Sequence, residues 1–370
     1  MINFILNTEM INSEDIGNRI LKVAFNQTND LLFVGTTKGF RIIRTEDCKI
    51  ISRRDHEATT YFSGGFTCIS PMFSTELLCL VGSPGNSIYP PNIAYFWDNQ
   101  KEDFKGEIRF RSEVKNVLLR RDKAVIVLEK ITYVYDLLIL KATDSIPTIE
   151  NENGVAAVSY DRDQFILASL QTTHGHVKIT NYYDGEVKSG LIHENPITLL
   201  ALNFPGTIGA SASEQGTIIR VFDTKTLQLL HELRRGTSPA QVSSIAFSPN
   251  CHHLLASSNR STIHVWNLKA PTPQSAGRFS RFLPNYFQYN RSLAKLSLKP
   301  EVSWTCPYTV NVGPIGCFID ETNFILAHLD GNLYKCKIRD QSALIIQETK
   351  SFLDSNEIII EGNREWESFA

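Results

Sequence analysis

Apolar positions along this chain come in short bursts. Leu32–Val34, Arg41–Ile43, Leu77–Val81, Ala124–Leu128, Phe165–Ala168, Ile218–Phe222, Leu254–Ala256 and Ile263–Trp266 are rich in β-branched and aromatic residues. Gly, Pro, Asn and Asp break the chain between them. Such residues fit a pleated, half-buried surface, so each burst predicts a strand bounded by a turn. A helical period shows in one segment alone, 279–287. Many short strands with regular turns predict an all-β sandwich or propeller.

An internal repeat separates those two. Residues 203–223 resemble 246–267: strand, Pro-centred turn, strand, polar turn, then Thr-Ile and a closing strand. That strand ends on Phe222-Asp223 in one copy and Trp266-Asn267 in the other. Similar polar turns occur at 37–40, 173–176 and 329–332. Marked by Gly39, Gly175, Gly216, Ser261 and Gly331, they are spaced by 136, 41, 45 and 70 residues. The first step holds about three units of ~45 residues, leaving room for two units without the marker. Seven units predict a seven-bladed β-propeller of WD-repeat type, with 1–370 as a single domain. The surplus in the last step belongs to 268–303, a long connection in blade six. Residues 361–370 read as a polar tail. Asn3–Leu6 and Ile358–Ile360 are both strand-like, so the mode of ring closure stays open.

Composition narrows the class. Hydrophobic residues are 42% and charged ones 21%, which excludes a disordered chain, a collagen or a coiled-coil rod. The seven cysteines are odd in number and scattered without a C-x-x-C pair, so the expected compartment is a reducing one, most simply the cytosol. Met1–Asn12 lacks the basic start and apolar run of a signal peptide, and no window reaches the ~18 apolar residues of a membrane span. Cys251-His252-His253 has no second ligand cluster at zinc spacing, so no metal is expected. Neither a nucleophile–base pair nor a phosphate-cradling G-x-x-x-x-G-K-S/T string is present, so no enzyme and no cofactor are expected.

Charge changes the picture most. The net charge of −2 hides residues 233–300, which contain no Asp or Glu but nine bases. That stretch carries +9 and the remainder −11. Such a field suits an anionic partner: a phosphoinositide, a nucleic acid or an acidic protein. Within it lies Leu233-Arg234-Arg235-Gly236. Successive side chains on an extended backbone point to opposite sides, so the two arginines can serve two pockets. Each guanidinium is a planar fork suited to phosphate. Ser213, Thr217 and Arg220 precede the pair; Ser258, Arg260, Thr262 and His264 follow it. Hydroxyls donate to phosphate oxygens, and protonated histidine would add charge.

The string LRRG, between SEQGTIIRVFD and SSNRSTIHVW, resembles the PROPPIN family of polyphosphoinositide-binding propellers, in its Leu-containing branch. Phe25-Asn26-Gln27 with Gly35–Phe40, Leu80-Val81-Gly82 with Tyr89-Pro90-Pro91-Asn92, and His193–Ile197 are similar to the same family in order and spacing. The resemblance implies two headgroup sites at the rim. The first would use His193, Ser213, Thr217, Arg220 and Arg234; the second Arg235, Ser258, Arg260, Thr262 and His264. It implies phosphatidylinositol 3-phosphate and 3,5-bisphosphate as ligands, and an autophagy lipid-transfer protein or other autophagy factor as partner. It implies a cytoplasmic protein, peripheral on preautophagosomal, endosomal or vacuolar membranes. Ser261 departs from the family's turn glycine, Arg260 stands where Lys is common, and Ser238–Gln241 replaces a segment that often holds acids. The family also inserts its blade-six loop into the bilayer. Here Phe279, Phe282, Leu283, Tyr286 and Phe287 follow helical spacing, with Arg278, Arg281, Arg291 and Lys295 around them and Pro284 inside. Aromatics beside bases suit a membrane interface. The rival expectation is a WD-type scaffold for an acidic protein or RNA, without lipid specificity.

Overall fold

The computed structural model describes residues 20–54, 65–84, 86, 88–269, 290–298, 313–339 and 343–352, with the side chains of 290 and 291 left aside. Among these residues the chain forms seven sheets, each built on four antiparallel strands, within 20–53, 66–109, 114–147, 156–191, 197–234, 242–297 and 315–351. They are the seven blades of a β-propeller.

The five turn markers all open the third strand of a blade, in blades one, four, five, six and seven. Each has positive φ: Gly39 at 145°, Gly175 at 72°, Gly216 at 55°, Ser261 at 54° and Gly331 at 88°. Blades two and three are the two units without a marker. Blade three turns on Glu129-Lys130 alone, between strands Lys123–Leu128 and Ile131–Asp136. Neither loop residue has positive φ, so no glycine is called for there. Blade two closes through a longer connection in which Gly82 lies so near Tyr89 that an added Cβ would stand 1.5 Å from its carbonyl oxygen.

The core lies between the blades. Each of the seven junctions holds its own apolar cluster, as where Ala210, Val221 and Leu233 of blade five meet Val242, Leu254 and Trp266 of blade six. Closure of the ring uses the same device. Cys317, Ile325 and Leu333 of blade seven pack on Leu32, Val34 and Ile43 of blade one. Every strand of blade seven comes from 315–351, so among the described residues no blade borrows a strand to close the ring; Asn3–Leu6 and Ile358–Ile360 lie outside them.

A belt of contacts runs around the face formed by the first turn of each blade. Gln27 of blade one donates to Pro71 O at 2.8 Å and Leu119 O at 3.0 Å, and accepts from Phe73 N at 2.6 Å. The Arg121 guanidinium lies 4.2 Å from the Phe73 ring centre. Arg120, nearly buried, donates to Ser159, Asp161 and Gln164 carbonyls of blade four and covers Phe165. Tyr160 N donates to Phe204 O at 2.9 Å, and Asn203 Nδ2 reaches Cys251 Sγ at 3.4 Å. Ser248 donates to Glu321 at 2.8 Å, and Asn29 donates to Phe318 O at 2.9 Å, which returns the belt to blade one.

The stretch 268–303 is partly sheet. Asn290–Arg291 runs parallel to Leu233–Arg234 as a fifth strand of blade five, and Ala294–Ser297 is the fourth strand of blade six. Phe279, Phe282, Leu283, Tyr286 and Phe287 lie outside the described residues, as does the tail.

Candidate functional site

The double arginine ends the fourth strand of blade five (Leu229–Arg234), which pairs with the third (Ile218–Asp223). Strand alternation buries Leu233 completely in the junction core and turns Glu232 and Arg234 the other way. The chain then leaves the sheet: Arg235 N donates to Thr217 O at 2.9 Å and Gly236 N at 3.4 Å. Gly236 has nothing within 4 Å of where a Cβ would stand and no positive φ, so neither crowding nor backbone conformation calls for a glycine there. The neighbouring arginines thus face different junctions.

On the blade-four side, His193, Ser213, Thr217, Arg220 and Arg234 come from three segments. His193, in the linker into blade five, is buried, its Nε2 3.0 Å from Ser211 Oγ. Its Nδ1 faces Arg220 Nη1 at 3.5 Å. Arg220 also donates through Nη1 to Ile192 O at 2.7 Å and through Nε to Glu232 Oε1 at 2.8 Å. Burial first, and the Arg220 charge second, hold the His193 imidazole at about 4. It is therefore neutral at pH 7, and supplies a hydrogen-bonding ring where added charge is expected from the sequence. Ser213 and Thr217 bracket Gly216, with Gly216 N on Ser213 O at 2.8 Å. The structure joins Arg220 to His193 directly; Arg234 shares the face of Arg220 and Glu232 through register.

On the blade-six side, Arg235 is buried and donates through Nε to Gly216 O and through Nη2 to Ser238 O. Burial, then the Arg260 charge, lowers its pKa; two cations thus sit close across this junction. Arg260 is exposed at the turn tip. Ser258 Oγ and Thr262 Oγ1 lie 2.8 Å apart, across a turn in which Ser261 N donates to Ser258 O at 2.8 Å. Ser261 keeps the left-handed conformation of the glycine it replaces. His264 is buried, stacked on Trp266 at 5.6 Å between centres, with Nδ1 3.2 Å from Ser292 Oγ. Burial, then Lys295, then Arg235 hold it at about 4.

Sequence reasoning missed Glu232 and Ser292, and put Lys295 among the bases of the blade-six loop. Glu232 is the last acid before the acid-free stretch and stands opposite Arg220. Lys295 stands opposite His264 in a strand that reads as loop.

Cys251, His252 and His253 do not converge as ligands. Cys251 takes the Asn203 contact, and both histidines approach Glu321 through Nδ1, at 3.5 and 3.8 Å. Carboxylates of Glu129, Glu150 and Glu152 gather within 4.8 Å, but Lys130 and Lys115 already neutralise Glu129 and Glu152. No helix among the described residues is long and apolar enough to cross a membrane.

Comparison with known proteins bears on the family and the fold. Residues 21–289 match the PROPPIN family. The chain is 32% identical over 350 residues to Autophagy-related protein 18e of Arabidopsis thaliana, covering 92% of this chain and 89% of that one. It is 31% identical over 290 residues to SVP1-like protein 2 of Pichia angusta, covering 73% and 78%. Kluyveromyces lactis Hsv2 superposes with a TM-score of 0.72 at 20% identity, over 91% of this chain and 100% of that one. A complex of KlAtg21 with the coiled coil of AgAtg16 gives 0.69 at 19% identity, over 90% and 99%. At those identities the two structures speak to the fold.

Proposed function

Because the chain belongs to the PROPPIN family, we propose that it is a non-enzymatic protein of autophagy that recruits partners to phosphoinositide membranes. Phosphatidylinositol 3-phosphate and the 3,5-bisphosphate bind at the two faces of Leu233-Arg234-Arg235-Gly236. One observation carries this reading: adjacent arginines face opposite junctions inside a stretch of 233–300 without a single acid. Arg234, with Arg220, His193, Ser213 and Thr217, offers one set of donors. Arg235, with Arg260, Ser258, Thr262 and His264, offers the other.

Each guanidinium gives a charge-assisted fork for phosphate. The neutral imidazoles, which burial fixes in place, shape the pocket by hydrogen bonding. Neither site needs depth. Two modest sites on one edge, plus insertion of Phe279, Phe282, Leu283, Tyr286 and Phe287, multiply through effective concentration. Burying three or four such side chains is worth about 1.5–3 kcal/mol each. The coiled-coil complex of KlAtg21 supports an autophagy factor as protein partner. The expected place of action is the cytoplasmic surface of preautophagosomal, endosomal or vacuolar membranes.

Liposome flotation across the phosphoinositide panel tests the reading. Arg234→Thr with Arg235→Thr should abolish lipid-dependent binding. Retained binding overturns it. Binding that salt removes, with no preference for phosphate position, would instead indicate the scaffold for an acidic protein or RNA.

A further inference from the structure

Blade one repeats the strand end that carries Arg234 and Arg235. Its fourth strand (Ile50–Arg53) stops on Arg53, which faces Arg41, two residues past Gly39. Arg234 likewise faces Ile218, two residues past Gly216. The next residue then leaves the sheet by the step all blades use: Arg54 N donates to Phe40 O at 2.9 Å, as Arg235 N donates to Thr217 O at 2.9 Å. What sets blades one and five apart is the residue type: they alone carry Arg-Arg at this step, where the others have Arg109-Phe110, Pro147-Thr148, Leu191-Ile192, Ser297-Leu298 and Ser351-Phe352.

Among the described residues the surroundings are rich in cations, while Asp55 and Glu57 follow in the sequence. Arg41, directly opposite Arg53, shares its face of the sheet, is buried, and reaches Phe352 O of blade seven at 3.4 Å. Lys38 occupies the adjoining turn. Arg54 already holds an anion: Nη2 lies 2.7 Å from Glu102 Oε1 of blade two and 3.2 Å from Asn99 O. The Glu102 side chain is 62% exposed and its φ is 52°, a backbone conformation that suits glycine better. An exposed carboxylate on a strained turn holds a guanidinium weakly and yields to a phosphate, which offers more charge and more acceptors.

We propose that this edge is a further phosphate-binding site, latched by Arg54–Glu102 and three blades from the first. The two sites lie nearly opposite on the ring, so one disc can bridge two phosphoinositide-bearing membranes. The bridging rests on the blade-five reading given above; the site itself does not.

Light scattering on phosphatidylcholine vesicles carrying phosphatidylinositol 3-phosphate reads the bridging. Glu102→Gln frees Arg54 and should raise vesicle clustering severalfold. Arg53→Ser with Arg54→Ser should reduce clustering to that of vesicles alone while flotation stays near the wild-type level. Clustering indifferent to both changes overturns the proposal. If the double-serine protein unfolds, the gain from Glu102→Gln decides alone, since misfolding adds no site. Titration of the soluble phosphorylated inositol headgroup into Arg234→Thr/Arg235→Thr protein isolates this edge from the blade-five sites. Binding that strengthens with Glu102→Gln and vanishes with Arg54→Ser supports the site even where the blade-five reading fails. No binding to the Glu102→Gln form overturns it. Headgroup binding without vesicle clustering overturns the bridging role, and polyglutamate binding more tightly than headgroup overturns phosphate in favour of an acidic protein.

Discussion

Arg220 and Glu232 stand directly opposite each other on adjacent strands of blade five, Nε to Oε1 2.8 Å. The same guanidinium closes on Ile192 O and the His193 ring. Glu232 therefore orients Arg220 and at the same time cancels part of its charge toward an incoming phosphate. Both side chains are partly exposed, so the pair itself contributes little to stability. Glu232→Gln keeps a hydrogen-bond acceptor and removes the opposing charge. Affinity for phosphoinositide vesicles should rise by about 0.5–1 kcal/mol, or about two- to fivefold, with thermal stability nearly unchanged. Weaker vesicle binding, measured at fixed salt, would show that orientation outweighs charge.

Acid should weaken the fold through the two buried histidines. Both are held at about 4 against 6.5 when unfolded, by burial above all. Depressed values mean that the unfolded chain takes up protons first as pH falls. The stability is complete above 6.5 and drains away toward 4. Between pH 7 and pH 5 the loss is about 2 kcal/mol per histidine, read from urea midpoints. His193→Gln should flatten that slope; a midpoint insensitive to pH across the interval would contradict the assignment.

The third-strand turns give opposite outcomes for opposite substitutions. A Cβ at Gly216, φ 55°, would stand 1.9 Å from Ala240 O. Gly216→Ala should cost about 3 kcal/mol and loosen the linker that carries Ser238 and its contact to Arg235. Ser261, at φ 54° in the matching turn, is the converse: Ser261→Gly should add about 1 kcal/mol. Calorimetry of both variants checks the sign.

Gln27 has the widest reach of any single side chain in the belt, making three hydrogen bonds that touch blades one, two and three. Gln27→Ala strands Pro71 O, Leu119 O and Phe73 N. The expected loss is about 2–3 kcal/mol, with vesicle binding at blades five and six intact in the folded protein. A loss below about 0.5 kcal/mol would mean that water replaces the amide.

The rim was more legible in the sequence than its chemistry. Five positive-φ turns announce themselves because glycine, which has no Cβ, adopts that backbone most cheaply, and Ser261 shows that the turn also forms without it. Blades two and three lack that signal; spacing and the apolar bursts Leu77–Val81 and Ala124–Leu128 imply them instead, with the Leu80–Gly82 and Tyr89–Asn92 strings in blade two. The strand Ala294–Ser297 was hidden inside 268–303, since its apolar positions, Ala294 and Leu296, are too few to stand out from a basic loop. Residue types likewise pointed to His193 and His264 as cations; depth of burial, which no sequence pattern states, makes them neutral. The Arg220–Glu232 pair needed register, which depends on the irregularity between Val221 and Phe222.

Closure among the described residues, in which blade seven is built from 315–351, makes that blade a shared keystone. Its contact with blade one joins Asn29 to Phe318, 289 residues apart, so the last junction forms only when blade seven has been made. Loop-closure entropy grows slowly with such length, and the delay is kinetic rather than a large loss of stability. Until then two apolar faces wait uncovered: Leu32, Val34 and Ile43 on blade one, and Leu255, Ile263 and Val265 on blade six. A ribosome-bound chain is therefore open at both ends for most of its synthesis, and a stop codon before blade seven would leave a chain fit for chaperones rather than for membranes.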